Sequence, residues 1–257
     1  MLEQKGNWWS GRRYGCVIRV LKETDSTNDD VRWAGERGAP QGYVVLAHAQ
    51  KKGRGRMGRR WESPPGVNVY LSILDRMKVP MTQTPLLSLA VGLGVFDACV
   101  ALCGEGAEEK LWIKWPNDLL ALDAMGKYRK CAGVLIESLP ALQSLVIGIG
   151  VNVNQITWPL ALEEEAISLC QIFQRDFDRW QLVQLLLDKV GARVSQVEAE
   201  GSRIVDCLLN RLAWIGRPVT IDGFAGVFIG LDGGGALCIQ DGWKVRKFWS
   251  GTLRLAG

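Results

Sequence analysis

The sequence predicts an α+β protein in which strands flank one long core helix and a hairpin-rich segment forms a small second domain. Residues 85–102 place large apolar side chains at helical spacing with little charge, which is typical of a buried helix. Short runs of β-branched and aromatic residues on both sides of this helix indicate strands. After Trp214, Asp-Gly pairs recur at intervals of about ten residues, as in a small antiparallel sheet or barrel.

Three strands and one helix are predicted before the core helix. The strands are rich in Val, Ile, Leu and Tyr and lie at residues 14–21, 43–49 and 67–74. Ser26 or Thr27 caps a helix that ends near Gly35 or Gly38. The first dozen residues show no periodicity and are predicted to be an extended lead-in.

Strands alternate with turns after the core helix, and two amphipathic helices follow them. The strands are predicted at residues 111–115, 119–122, 131–137 and 145–153, and the helices at residues 163–175 and 178–200. Pro116 and the turn pair Asn117-Asp118 end the first of these strands, and residues 126–130 turn into the third. A boundary near residues 211–216 divides the chain into predicted domains 1–212 and 213–257.

Composition narrows the class of protein. The 257 residues carry a net charge of only +4, which does not indicate a broad nucleic-acid surface. The seven cysteines are scattered without a Cys-x-x-Cys pair, and there is one histidine, so a zinc site is not expected. Cys99 and Cys103 are interpreted as buried core thiols in a reducing cytosol. No run of eighteen apolar residues occurs, so we expect a cytoplasmic protein without a signal peptide, a membrane span or a membrane partner.

Residues 50–61, here called the basic loop, form the most unusual stretch. They hold six Lys or Arg side chains and three glycines beside Trp61, and no acidic residue. Glycine lets backbone N–H groups approach a phosphate, and the arginine fork matches phosphate oxygens. The alternative is a solvated basic loop without function, and a run of charged residues alone favours this interpretation.

Few residues are suited to acid-base or nucleophilic catalysis. His48 is interpreted as a satisfied structural histidine inside a buried strand, and Gly148-x-Gly150 as a close approach of backbone. Polar groups instead follow the strand ends. Cations without a nucleophile or a histidine base suit phosphoryl or nucleotidyl transfer, in which the substrates supply the reacting groups.

Five motifs, in order and spacing, resemble those of biotin protein ligases. They are Thr24-Asp25-Ser26-Thr27-Asn28, the glycine-arginine stretch at residues 53–61, Lys114-Trp115-Pro116-Asn117-Asp118, Lys130-Cys131-Ala132-Gly133 and Gly148-Ile149-Gly150-Val151-Asn152. The resemblance implies a largely antiparallel sheet backed by helices, related to class II aminoacyl-tRNA synthetases, and a C-terminal SH3-like β-barrel. It implies formation of biotinyl-5′-AMP from biotin and ATP with Mg²⁺, and transfer of biotin to one lysine of the biotin carboxyl carrier domain of acetyl-CoA carboxylase.

The resemblance also implies a role for each matching residue. Lys130, Arg56 and Asp118 correspond to catalytic positions, and no protein side chain is assigned to a metal. Biotin binding is implied for Ser26, Thr27, Asn28, Gln50, Gly53, Arg54, Gly55, Arg56, Lys130 and Gly133. Nucleotide binding is implied for Arg56, Arg59, Trp61, Lys114, Asn117 and Asn152, with Lys114 and Asp118 not separated between the magnesium and the acceptor lysine.

The sequence departs from the family pattern in two small ways, at Met57 in the basic loop and at an insertion-like stretch in residues 123–126. The motifs begin by Thr24, so we expect a monofunctional ligase without an N-terminal DNA-binding domain and without a DNA partner, and a homodimer is left open. A lipoate or octanoate ligase of related fold, a nucleic-acid-binding module built on the basic loop and an inactive protein of the same fold are the alternatives.

Overall fold

The computed structural model describes residues 12–76, 78 and 84–256, so the predicted N-terminal lead-in lies outside the described residues except for Arg12. The described helices are α1 (Thr27–Glu36), α2 (Thr84–Cys103), α3 (Ala107–Lys110), α4 (Leu169–Phe173), α5 (Arg179–Glu200) and α6 (Ile204–Leu209). The first seven strands are β1 (Val17–Leu21), β2 (Tyr43–Ala47), β3 (Val69–Arg76), β4 (Leu111–Lys114), β5 (Asp118–Leu122), β6 (Tyr128–Leu139) and β7 (Ser144–Val151). The last five are β8 (Pro218–Ile221), β9 (Phe224–Leu231), β10 (Leu237–Asp241), β11 (Lys244–Phe248) and β12 (Leu253–Leu255).

Seven of the described strands form one sheet in the order β1-β2-β3-β7-β6-β5-β4. Only β1 and β2 run parallel, and the other neighbouring pairs are antiparallel. Every residue of β3 except its last, Arg76, is buried, because β3 lies inside the sheet and layers of the protein cover both of its faces. The α+β class with a largely antiparallel sheet is confirmed.

The long apolar helix α2 is the centre of the hydrophobic core. It packs between the sheet and α5, and a Cβ atom added at Gly94 would lie 2.6 Å from the Cα atom of Val190, so the two helices touch backbone to backbone. In length and composition α2 would be able to cross a membrane, but 78% of its apolar stretch is buried inside the protein. The prediction of a core helix beginning near Thr84 is confirmed, as are the buried thiols of Cys99 and Cys103.

The C-terminal strands form an antiparallel sheet in the order β11-β10-β9-β8-β12 among the described residues. Asp222 and Gly223 have φ angles of 47° and 84° in the turn from β8 to β9, which confirms the turn predicted there. Trp115 Nε1 donates a hydrogen bond to Gly235 O at 3.1 Å and so joins this sheet to the larger part of the chain. The strand pairs leave β11 and β12 as edges, and both the closed barrel and the boundary at residue 212 stay predictions.

His48 was predicted inside a buried strand, and that prediction is wrong. β2 ends at Ala47, and the His48 side chain is exposed while Ala47 and Ala49 on either side are buried. Because successive side chains of an extended chain point to opposite sides, the apolar neighbours on both sides place His48 toward solvent.

The helix predicted over residues 163–175 is also partly wrong, because α4 covers only its C-terminal part. Ser168 caps α4 through a capping box with Gln171, and this fixes where the helix begins. The preceding residues pair with β6 instead: Lys130 N donates to Glu165 O at 2.7 Å, and Ile167 N donates to Lys130 O at 3.0 Å. Lys130 was placed in a turn, and β6 instead begins at Tyr128, so the lysine projects from a strand.

Arg13 holds two carboxylates from distant parts of the chain. Its Nη2 atom lies 2.9 Å from Asp75 Oδ1, and its Nη1 atom lies 2.6 Å from Glu198 Oε2. Burial raises the pKa of Asp75, and the Arg13 charge opposes that rise. The arginine therefore compensates charge inside the fold.

We expect Arg13→Met to lower the free energy of unfolding by about 3–5 kcal/mol, because two poorly solvated carboxylates lose their partner. Urea unfolding measures the change. Arg12→Met is the matched control, since Arg12 faces Asp188 at 3.8 Å on the surface and its loss should change stability by less than about 1 kcal/mol. Equal losses in the two variants would contradict a compensating role for Arg13.

Candidate active site

The basic loop closes on itself as a small hairpin. Gly55 N donates to Arg59 O at 2.7 Å, and Trp61 N donates to Gly53 O at 2.9 Å. A Cβ atom at Gly53 would lie 2.6 Å from Trp61 O, so only glycine allows this approach. The loop thus follows β2 and precedes β3 as predicted, and the two hydrogen bonds close it into a hairpin.

Most of the cations in the basic loop have acidic partners from outside the loop. The pairs are Lys51 with Glu23 at 2.8 Å, Lys52 with Asp25 at 2.7 Å, Arg54 with Asp29 at 2.6 Å and Arg60 with Glu62 at 3.8 Å. Among the described residues, no carboxylate lies within ion-pair distance of Arg56 or Arg59. The positive charge left to act on a ligand therefore belongs to those two arginines.

A cavity that is partly open to solvent lies between the basic loop, the start of α1 and the middle of the large sheet, with about 480 Å³ of empty space including its open mouth. Its apolar wall is built by Leu71, Val134, Leu135 and Ile149. Its polar lining and its glycines are Ser26, Thr27, Asn28, Gln50, Arg54, Gly55, Arg56, Trp61, Asn117, Lys130, Gly133, Gly148 and Gly150. Each of the five sequence motifs therefore contributes at least one residue to a single cavity. The third motif contributes Asn117 alone.

One end of the cavity is polar and neutral. Thr27 donates from its backbone N to Gln50 Oε1 at 2.9 Å, and Gln50 Nε2 donates to Ser63 Oγ at 3.1 Å. Thr27 and Asn28 are almost completely buried, at 4% and 5% exposure. Buried amides and hydroxyls of this kind select a neutral polar group by hydrogen bonding.

The other end of the cavity carries the positive charge. Arg56 Nη1 donates to Asn117 Oδ1 at 3.1 Å, and Lys130 Nζ lies 2.6 Å from Asp118 Oδ1. Burial lowers the pKa of Arg56, while the charges of Asp118 and Asp222 act in the opposite direction. A half-buried guanidinium without its own carboxylate is suited to bind an anion.

The Trp61 ring packs closely against two glycines that pair with each other across β6 and β7. Gly133 pairs with Gly150, and a Cβ atom at Gly150 would lie 2.6 Å from the indole ring. Lys130 Nζ is 5.2 Å from the Trp61 ring centroid, within cation–π range. The close approach predicted for Gly148-x-Gly150 is therefore present, and the ring occupies it.

Several predicted site residues do not line the cavity. Gly53 supports the loop from behind, and Arg59 reaches Thr252 Oγ1 at 3.4 Å. Lys114 lies 5.3 Å from the Trp214 ring centroid, and burial lowers its pKa. Asp118 pairs with the cavity-lining Lys130 and does not itself line the cavity. Asn152 is buried, and its Nδ2 atom donates to Lys130 O and to Ile167 O, each at 3.3 Å.

Three site residues were missed by the sequence reasoning. Glu137 on β6 accepts a hydrogen bond from Asn28 Nδ2 at 2.7 Å. Ser72 on β3 lies 2.7 Å from Thr27 Oγ1, and Asp29 holds the Arg54 guanidinium with both oxygens. An acidic residue at the end of the apolar run 131–137 was a visible signal for Glu137, and no local signal identifies Ser72.

Known proteins resemble the chain over most of its length. The model of the Biotin/lipoate A/B protein ligase family matches residues 18–154. The bifunctional ligase/repressor BirA of Bacillus spizizenii is 31% identical over 95% of this chain and 77% of its own length. The biotin–[acetyl-CoA-carboxylase] ligase of Mycobacterium tuberculosis is 32% identical over 92% and 88% of the two chains. The biotin protein ligase of Aquifex aeolicus in complex with biotin and ATP has a TM-score of 0.78 at 27% identity, covering 93% and 99% of the two chains.

Proposed function

Because the chain belongs to the biotin protein ligases of the Biotin/lipoate A/B protein ligase family, we propose that the cavity activates biotin with ATP and transfers it to a carrier protein. The biotin carboxylate attacks the α-phosphorus of ATP, pyrophosphate leaves, and biotinyl-5′-AMP forms. A lysine amine of the carrier then attacks the acyl carbon, loses a proton, and AMP leaves.

The observation that carries the proposal is the division of the cavity into two ends joined by an apolar wall. Biotin has a neutral ureido head, an apolar chain and a carboxylate, in that order. Ser26, Thr27, Asn28 and Gln50 at the neutral end would bind the head, and Gly133, which lies beside Lys130, would border the other end of the ligand. Arg56 and Lys130 at the charged end would hold the carboxylate and the α-phosphate together, which offsets the repulsion between two anions.

The nucleotide would occupy the side of the cavity under the basic loop. Trp61 would stack on the adenine ring, and Arg59, Lys114, Asn117 and Asn152 are proposed to act at this side. Placing the loop over the adenylate would keep water from the mixed anhydride, which is reactive toward amines. For Asn152 the supporting observation is indirect, because its amide holds the backbone of Lys130.

Magnesium is proposed to arrive with the phosphates of ATP. Among the described residues there is no group of three or more His, Cys, Asp or Glu side chains that would hold a metal ion. Asp118 is engaged by Lys130 at 2.6 Å. The side chains therefore do not fit a dedicated metal cage, in keeping with the habit of Mg²⁺ to bind mainly through substrate phosphates and water.

The partner proposed for transfer is the biotin carboxyl carrier domain of acetyl-CoA carboxylase, as the name of the mycobacterial relative suggests. A cytoplasmic location, the absence of a DNA partner and a possible homodimer are proposed on the sequence alone. Against a nucleic-acid-binding module stands the pairing of Lys51, Lys52, Arg54 and Arg60 with acidic residues. Such a module needs a continuous basic groove for the backbone.

Incubation with biotin, ATP and Mg²⁺ is expected to give biotinyl-5′-AMP and to label one lysine of an apo carrier domain. Mass spectrometry detects the adenylate, and streptavidin detects the labelled carrier. Reactions without ATP, and reactions with lipoate or octanoate in place of biotin, are the controls. Preferential use of octanoate or lipoate would transfer the assignment to the related ligases, and absence of any labelled carrier would refute the proposed function.

A further inference from the structure

A chain of five polar side chains runs beneath the neutral end of the cavity. It connects Gln50, Thr27, Ser72, Asn28 and Glu137 in that order, and it joins the basic loop, α1, β3 and β6. The oxygen–oxygen distances are 3.1 Å from Thr27 Oγ1 to Gln50 Oε1, 2.7 Å from Ser72 Oγ to Thr27 Oγ1 and 2.6 Å from Ser72 Oγ to Asn28 Oδ1. The middle of the chain is completely closed to solvent, since Ser72 is 0% exposed.

The orientation of both amides in this chain, Gln50 and Asn28, is fixed. Ser63 Oγ donates to Trp61 O at 3.1 Å, so it accepts from Gln50 Nε2, and Gln50 Oε1 must face Thr27. Asn28 Nδ2 donates to Glu137 Oε2 at 2.7 Å, so Asn28 Oδ1 must face Ser72. Both ends of the Thr27–Ser72 hydroxyl pair therefore meet an acceptor.

This chain of five side chains lacks one hydrogen-bond donor. A hydroxyl has a single hydrogen. Three oxygen–oxygen contacts surround the Thr27 and Ser72 hydroxyls, but only two hydroxyl hydrogens are available to them. One of the three contacts is therefore always without a hydrogen. Thr27, Asn28 and Gln50 line the cavity, so an N–H group that enters beside them would supply the missing hydrogen. A buried acceptor that gains a donor on binding makes the ligand N–H a favourable contact.

Glu137 is responsible for this shortage. An ionised carboxylate is only an acceptor, and Glu137 forms ion pairs with Arg54 at 3.5 Å and Arg32 at 3.4 Å. If a donor stood at this position, the Asn28 amide would turn over, and Nδ2 would face Ser72. The Ser72 and Thr27 hydrogens would then serve the other two contacts, and the chain would be complete without a ligand.

We propose that Glu137 is a positioning residue that keeps the neutral end of the cavity one donor short and thereby selects a head group with N–H donors. The inference rests on the proposed function and deepens it. A ureido ring carries N–H groups, whereas a dithiolane ring or an alkyl chain carries none. Acceptance of biotin over lipoate or octanoate would then follow from the orientation of one buried amide, set by a carboxylate beyond it.

Glu137→Gln tests the proposal, since glutamine keeps the shape and adds a donor. Isothermal titration calorimetry of the whole variant protein with biotin, without ATP, is expected to show that the Kd for biotin is raised about 10-fold, as for one lost hydrogen bond. The thermal midpoint is expected to stay the same or rise, because the polar chain is complete in the variant. At saturating biotin, kcat for pyrophosphate release should change less than KM for biotin.

Glu23→Gln is the matched control, because Glu23 also pairs with a cation of the basic loop, Lys51, but lies outside the cavity lining and makes no hydrogen bond with Asn28. It should leave the Kd for biotin unchanged, so that loss of a carboxylate beside the basic loop is separated from reorientation of Asn28. An unchanged Kd in Glu137→Gln, or a weaker Kd together with a lower thermal midpoint, would overturn the inference and leave the proposed function standing. If the unmodified protein binds no biotin, the proposed function fails, and the thermal midpoint of Glu137→Gln still decides the donor count.

Discussion

Lys130→Ala is expected to lower the rate of adenylate formation by about 10²–10³-fold. The ammonium lies at the charged end of the cavity, where it would face the carboxylate and the α-phosphate, and loss of one preorganised charge in such a site has an effect of this size. Biotin-dependent release of pyrophosphate measures it. Biotin binding in the absence of ATP should change much less, because the neutral end of the cavity is intact.

Two further variants separate chemistry from folding. Lys127→Ala removes a nearby exposed lysine that pairs with Glu164, and it should leave the rate unchanged. Lys130→Ala leaves the Asp118 carboxylate without its ion-pair partner. The double variant with Asp118→Asn removes that unpaired charge. Recovery of the rate in the double variant would mean that the stranded carboxylate, and not the absent ammonium, caused the loss.

Gly148→Ala is expected to raise KM for biotin by about 10²-fold. An added Cβ atom would lie 2.3 Å from Asn28 Oδ1, so the buried amide must move by an appreciable fraction of an ångström or more. Misplacement of this order in a closely fitted site costs about two orders of magnitude. Steady-state kinetics with biotin as the varied substrate measure the change.

Gly92→Ala is the control for this substitution. Gly92 lies in α2, where an added Cβ atom meets no heavy atom within 4 Å apart from the backbone of its own helix, so kinetics should stay unchanged and helix propensity should add up to about 1 kcal/mol of stability. A normal KM for biotin in Gly148→Ala would show that Asn28 is free to move or does not take part in binding.

Local patterns in the sequence were enough to predict the elements that position the site. The apolar spacing of residues 85–102 identified α2, and the strands on either side of the basic loop identified its anchors. Asp178 was included in the predicted helix, and the structure shows it capping α5 through the backbone N of Trp180. These features depend on neighbours within a few residues, which is why periodicity and capping rules reveal them.

Contacts between residues that are distant in the sequence were not predicted from these local patterns. The partner of Asn28 is Glu137 on a strand far along the chain, and the partners of Arg13 are equally remote. The short length of α4 also depends on tertiary structure, because residues before Ser168 pair with β6. Sequence periodicity has no access to such pairings, since it records only which side of an element is apolar.

The pairing of the cations in the basic loop determines how the loop responds to ionic strength. Of its six basic side chains, only Arg56 and Arg59 lack a carboxylate partner among the described residues. A protein surface releases roughly one condensed counterion for each phosphate that it neutralises. A loop with two uncompensated charges thus gains little from counterion release. In the proposed function, its affinity for a phosphate would then depend on the shape and direction of the two arginine forks, and changes in salt concentration would alter such a contact little.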